Sequence, residues 1–198
     1  MELGKLLVAN RGEIAVRIIR AASELGIETC AIYSEADINS IHWRRADEAF
    51  LLQGSGAQPY LDIQQIVQVA TDAGCAAVHP GYGFLSENPE FAVKCESAGI
   101  KFVGPESSSL NVFGDKVLAR QVAMQHGVPV VPGLDHPVTV TEAIEFLGSL
   151  EEGQSAVLKA VHGGGGRGVR VLEKDSDVEQ AYRGAQTEAE SSFGSADL

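Results

Sequence analysis

The chain has 198 residues, 44% of them apolar and 21% charged, with a formal net charge of −12. That length holds one domain of ordinary size and part of another, and the apolar share supports a packed core, which excludes a disordered chain. The acidic balance argues against a nucleic-acid partner, because phosphate backbones attract basic surfaces, but it leaves nucleotide binding open, since a small phosphate needs only a few local donors.

No apolar run approaches the roughly 20 residues that cross a bilayer. The opening MELGKLLVANRGE has neither the apolar stretch nor the cleavage site of a signal peptide. Cys30, Cys75 and Cys95 are far apart, odd in number and without a CxxC pair. They read as reduced core thiols, neither zinc ligands nor a disulfide framework. The compartment expected is the cytoplasm, or the mitochondrial matrix if a transit peptide has been removed.

In chain order, KLLVAN (5–10) reads as a strand. Ile14, Ile18, Ala21, Ala22 and Leu25 then recur at helical spacing, with Gly26 as the closing residue. Asn10 and Glu13 suggest a capped start to that helix, with Arg17 and Arg20 on a solvated face. ETCAIYS (28–34) and EAFLL (48–52) are the next strands. Asp62 caps a helix through Ile63, Ile66, Val67 and Ala70 that stops at Gly74. CAAVH (75–79) is a short buried strand, Asn88-Pro89 opens another helix, and KFVG (101–104) is a further strand. This alternation predicts a parallel sheet with helices on both faces.

After Gly104-Pro105 the rhythm changes. Two helical pieces follow, the second starting near Asp115. VPVVPGLDHP (128–137) looks like a linker. A helix over about 141–150 leads into the strand SAVLKAV (155–161), then a glycine cluster, then the strand VRVL (169–172). DSDVEQAYRGAQTEAESS is helical and highly charged. The chain reaches GSADL with no closing strand and no terminal cap, which suggests a break within a longer protein.

Two loops carry candidate chemistry. HGGGGRG (162–168) joins two strands, so it is a hairpin lid. A dinucleotide fingerprint would run from strand to glycines to helix, and a Walker loop would end in Lys-Ser/Thr. Four consecutive glycines exceed what a two-residue hairpin turn requires, and their exposed amides can close over phosphate oxygens. A flexible turn without a ligand is the plainer alternative. Lys159, inside an apolar strand, either meets an anion or lies on the solvent face of an edge strand. Lys116, taken alone, reads as a surface lysine. HPGYGFLSENP (79–89) leaves a buried strand at its carboxyl end, where parallel sheets place ligand loops. Gly81 and Gly83 flank Tyr82, and His79 and Glu87 can pair or cap; the alternative is a rigid connection to the next helix.

Taken together, ANRGEIAVRIIRA, YSEAD, HPGYGFLSENPEFA, FVGP, GDK and KAVHGGGGRGVRV resemble the biotin carboxylase family, the ATP-grasp component of acetyl-CoA, propionyl-CoA and pyruvate carboxylases. The resemblance covers essentially the whole chain. HPGYGFLSEN with ANRGEIA separates it from other ATP-grasp ligases such as carbamoyl-phosphate synthase. A non-catalytic binding or dimerisation module on the same fold is the second alternative.

The fold implied is α/β, with a Rossmann-like parallel sheet followed by a partial ATP-grasp lid. Residues 1–115 would be the N-terminal domain, 116–135 a linking helix and loop, and 136–198 part of the lid. The reaction implied is ATP-dependent carboxylation of biotin by bicarbonate through carboxyphosphate. Lys116, Lys159, Gly163, Gly164, Gly165, Gly166 and Val169 match the family's ATP contacts. Val169 stands where the family usually has Met, and His162 where many members have a small residue. Tyr82 and Gly83 match positions lining the biotin pocket, and Arg20 and Glu24 match a dimer-contact face. The family's Mg2+-binding glutamates and catalytic base lie beyond residue 198, so no catalytic or metal residue is assigned here, and the fragment alone is expected to be inactive. The partners implied are a biotin carboxyl carrier protein or domain, a carboxyltransferase and a second copy of the chain. The carboxyltransferase would choose the acceptor, acyl-CoA (as in fatty-acid synthesis) or pyruvate.

Overall fold

The computed structural model describes residues 4–162 and 168–198. The chain divides into two compact units, 1–110 and 111–198.

In the first unit, β1 (Leu6–Val8), β2 (Thr29–Tyr33), β3 (Glu48–Leu51), β4 (Ala77–His79) and β5 (Lys101–Phe102) form one sheet in the order β3-β2-β1-β4-β5. Every pairing is parallel, with Leu7 opposite both Cys30 and Val78. This is the expected sheet. Its central strands, β1, β2 and β4, are short, mostly buried apolar runs because both faces are covered. On one face Leu6, Val8, Ala31 and Ala77 pack against Ala15, Ile18, Ile19 and Ala22 of α1 (Gly12–Glu24). On the other, Leu7, Cys30, Ile32 and Val78 meet α2 (Ile63–Asp72) and α3 (Pro89–Ser97) through Ile66, Ala70, Phe91 and Cys95. Each fully buried large apolar side chain of this kind stabilises the fold by about 1.5–3 kcal/mol. The three cysteines are buried and free.

Local signals set the helix ends. Asp62 accepts the Gln65 amide and Asn88 accepts the Phe91 amide. Gly26 and Gly74 take left-handed φ of +70° and +67° after α1 and α2. α1 corrects one expectation. Its N-cap is Arg11, which makes no side-chain cap bond, and Asn10 serves the neighbouring loop instead.

In the second unit, α4 (Ser107–Gly114), which begins in the first, is followed by α5 (Lys116–Gln125) and α6 (Val140–Ser149). Asp115 caps α5, and Thr139 with Glu142 forms a capping box on α6. Between these helices the proline-rich segment is irregular; Arg120 donates to the carbonyls of Val131 and Gly133. β6 (Ala156–Lys159) and β7 (Val169–Leu172) pair antiparallel as the expected hairpin. Ala156, Leu158 and Leu172 point to a core with Ala143 and Leu147 of α6 and Val178, Tyr182, Ala185 and Ala189 of α7 (Val178–Phe193). α7 is therefore amphipathic, with its charges on the outer face. The expected lack of a terminal cap does not hold. Gly194 closes α7 at φ +74°, Leu198 is buried, and Asp197 and Leu198 accept backbone bonds from Val161 and Val138.

Candidate functional sites

The first unit presents its loops at a switch point. From β1 the chain passes through α1 to β2 on one side, whereas β4 lies on the other side of β1. The loops leaving β1 and β4 lie at the carboxyl ends of adjacent strands, the position where open α/β sheets bind ligands. Asn10 ties the two loops. Its amide nitrogen donates to Pro80 O at 2.7 Å and Tyr82 O at 2.9 Å, and its oxygen accepts the Arg11 amide. A Cβ on Gly81 would lie 2.6 Å from that amide nitrogen, so the close approach requires glycine. His79 Nδ1 accepts the Gly81 amide at 3.0 Å, not a bond from Glu87. Burial pushes the His79 pKa down, which keeps the ring neutral for that role.

These bonds hold the backbone around Tyr82 and Gly83 against the loop that follows β1. Tyr82 is 60% exposed, with its hydroxyl donating to Glu13 Oε2 at 2.9 Å. A Cβ on Gly83 would meet no atom within 4 Å. An exposed aromatic ring beside open backbone suits a small flat ligand. Arg20 lies on the exposed face of α1, paired with Glu24 at 2.8 Å.

In the second unit, Lys116 begins α5 and Lys159 ends β6. Lys116 Nζ donates to Val161 O at 3.3 Å, at the root of the glycine loop. Burial lowers the Lys116 pKa, and the positive charge of Lys159 lowers it further. The two amines therefore repel, and the Asp115 carboxylate partly offsets that repulsion. Gly163, Gly164, Gly165, Gly166 and Arg167 lie outside the described residues. Flanking that segment, Ala160 N donates to Gly168 O at 3.0 Å.

Val169 stands directly opposite Lys159. Two further residues of this face escaped the sequence reading. Val157 and Val171 oppose each other and are 51% and 62% exposed, while Ala156, Leu158 and Leu172 beside them face the core. The signal was present in the alternation of AVLK, whose second and fourth residues share a face. The hairpin's outer face is therefore apolar with an amine at one end.

Among the described residues, no group of three His, Cys, Asp or Glu side chains is placed to hold a metal ion. Asp115, next to Lys116, spends Oδ1 on the amides of Val117 and Leu118. The residues described here do not make a Mg2+ site. No helix among them is long and apolar enough to cross a membrane.

A five-stranded parallel sheet with Rossmann strand order, joined in sequence to an antiparallel hairpin with two lysines near the turn, is the architecture of an α/β domain followed by the start of an ATP-grasp domain. Residues 2–110 match the family described as biotin carboxylase, N-terminal domain, and residues 115–198 match the carbamoyl-phosphate synthase L chain, ATP binding domain. The chain belongs to the biotin carboxylase N-terminal domain family, followed by a segment of that ATP-binding domain.

It is 51% identical to pyruvate carboxylase of Bacillus subtilis (strain 168) over 193 residues, 96% of this chain and 17% of that protein. Among solved structures, it superposes at TM-score 0.94 and 40% identity on a Campylobacter jejuni biotin carboxylase in complex with β,γ-ATP, covering 99% of this chain and 44% of that one. The biotin carboxylase domain dimer of Hydrogenobacter thermophilus 2-oxoglutarate carboxylase, in complex with MgADP, ADP and bicarbonate, gives TM-score 0.93 at 44% identity, over 98% and 43%. The chain thus spans about a sixth of the pyruvate carboxylase it matches and under half of each biotin carboxylase chain.

Proposed function

We propose that this chain provides the N-terminal lobe and part of the nucleotide lid of a biotin carboxylase, acting in ATP-dependent carboxylation of biotin by bicarbonate through carboxyphosphate. Residues 1–115 are the N-terminal domain in this reading, 116–135 the link and 136–198 the lid portion. The observation that carries it is the pair of amines, Lys116 and Lys159, brought to the root of the glycine loop.

Phosphoryl transfer to bicarbonate, a weak nucleophile, spreads negative charge over the γ-phosphate oxygens, and catalysis is mainly positioning and charge stabilisation. Lys116 and Lys159 supply fixed positive charge. Gly163, Gly164, Gly165 and Gly166 supply backbone amides that wrap the phosphates. Val157, Val169 and Val171 supply the apolar face for adenine. Tyr82 and Gly83 receive the ureido ring of biotin. In this reading Mg2+ would neutralise phosphate charge and would be held by residues outside this chain.

The partners in this reading are a biotin carrier protein or domain, a carboxyltransferase and a second copy of the chain. Likeness to pyruvate carboxylase and to a 2-oxoglutarate carboxylase domain supports a 2-oxo acid as carboxyl acceptor, not an acyl-CoA of fatty-acid synthesis. The test is biotin-dependent ATP hydrolysis by the intact enzyme. Lys116→Met combined with Lys159→Met is expected to lower it by about 100-fold or more. Undiminished hydrolysis would contradict the assignment.

A further inference from the structure

The segment after Pro80 holds an unusual backbone. Gly81, Gly83 and Phe84 all take left-handed φ, of +69°, +68° and +42°. Phe84 is the one non-glycine residue with positive φ among the described residues. A side chain in that region crowds its own backbone, so the shape persists only where the surroundings over-determine it.

The surroundings act on the Phe84 ring. It stacks on Tyr60 with centroids 5.2 Å apart, and the Arg11 guanidinium carbon stands 5.7 Å from the Tyr60 centroid and 5.8 Å from that of Phe84. One carboxylate organises both partners. Asp37 Oδ2 accepts the Tyr60 hydroxyl at 2.8 Å and pairs with Arg11 Nη1 at 3.2 Å. It also accepts the Ser34 hydroxyl at 3.2 Å. The cation is thereby aimed at the two rings, and the rings fix the strained residue that directly follows Tyr82 and Gly83.

We infer that Arg11, Asp37 and Tyr60 are positioning residues for the Tyr82–Phe84 segment and set its affinity for the ureido ring of biotin. This rests on the biotin reading of Tyr82 and Gly83. Arg11 belongs to the loop after β1, so charge on one side of the switch point shapes the ligand loop on the other.

The test uses the intact enzyme with free biotin and three variants: Arg11→Met, Phe84→Ala and Tyr82→Ala. Arg11→Met and Phe84→Ala are each expected to raise KM for biotin by about tenfold or more, with KM for MgATP held within about twofold. Phe84→Ala carries the test if Arg11→Met does not fold. If Tyr82→Ala raises KM for biotin and neither of the other two does, the positioning role is wrong and the biotin reading stands. An equal rise in both KM values would mean general damage and would also overturn the positioning role. If Tyr82→Ala leaves KM for biotin unchanged, the biotin reading fails and the positioning role fails with it.

Discussion

Asp37 shows how one residue's environment decides its work. Burial pushes its pKa up, but hydrogen bonds from Tyr60 and Arg11 and the charge of Arg11 more than offset this, so it stays ionised below the usual carboxylate range. Tyr60 moves the opposite way, its ionisation opposed first by burial and then by its bond to Asp37. Removing that hydroxyl leaves Asp37 with one donor fewer in a partly buried site. Tyr60→Phe is expected to cost about 1–2 kcal/mol in chemical denaturation; a change below a few tenths would show that the bond is not formed in solution. None of this was legible in sequence. Asp37 reaches residues 26 and 23 positions away, and Asn10 reaches 70 and 72 positions away, so their neighbours give no local signal. Asn10 instead carried a misleading one, since Asn before a helix ordinarily caps it.

Elements were easier to read where their causes are local. The caps at Asp62, Asn88 and Asp115 and the stops at Gly26 and Gly74 lie within four residues of what they serve. The box on α6 follows the same logic. The Thr139 hydroxyl accepts the Glu142 amide, while Glu142 Oε2 accepts the Thr139 amide at 2.7 Å and its hydroxyl at 2.8 Å. Those two bonds, with His136 behind them, hold the Glu142 pKa down at about 2. A depressed carboxylate contributes stability that is complete above its unfolded pKa, about 4.3, and is lost as pH falls towards the folded value. Glu142→Gln is therefore expected to lower Tm at pH 6 and to converge with the parent chain as pH falls from about 4.5 to about 2. A Tm difference that stayed constant across that range would rule out the ionised cap. The outer face of β6 and β7 was half legible: Lys159 and Val169 stood out through the motif, whereas Val157 and Val171 needed the register to show that four side chains share one surface.

At the scale of the molecule, each unit is organised by its own core, the first around the sheet and the second between the hairpin, α6 and α7. The sheet order follows from alternating strands and helices in the sequence, and the switch point between β1 and β4 follows from the order. The net charge of −12 is compatible with the proposed nucleotide site, because that reading concentrates the positive charge it needs in two side chains. The most direct test is the dissociation constant of ATP for the intact enzyme, measured by equilibrium titration with both Lys116 and Lys159 replaced by methionine. Loss of the two amines is expected to weaken ATP binding by tenfold or more, about 1.4 kcal/mol at the least. An unchanged dissociation constant would mean that the hairpin and its lysines do not hold the triphosphate.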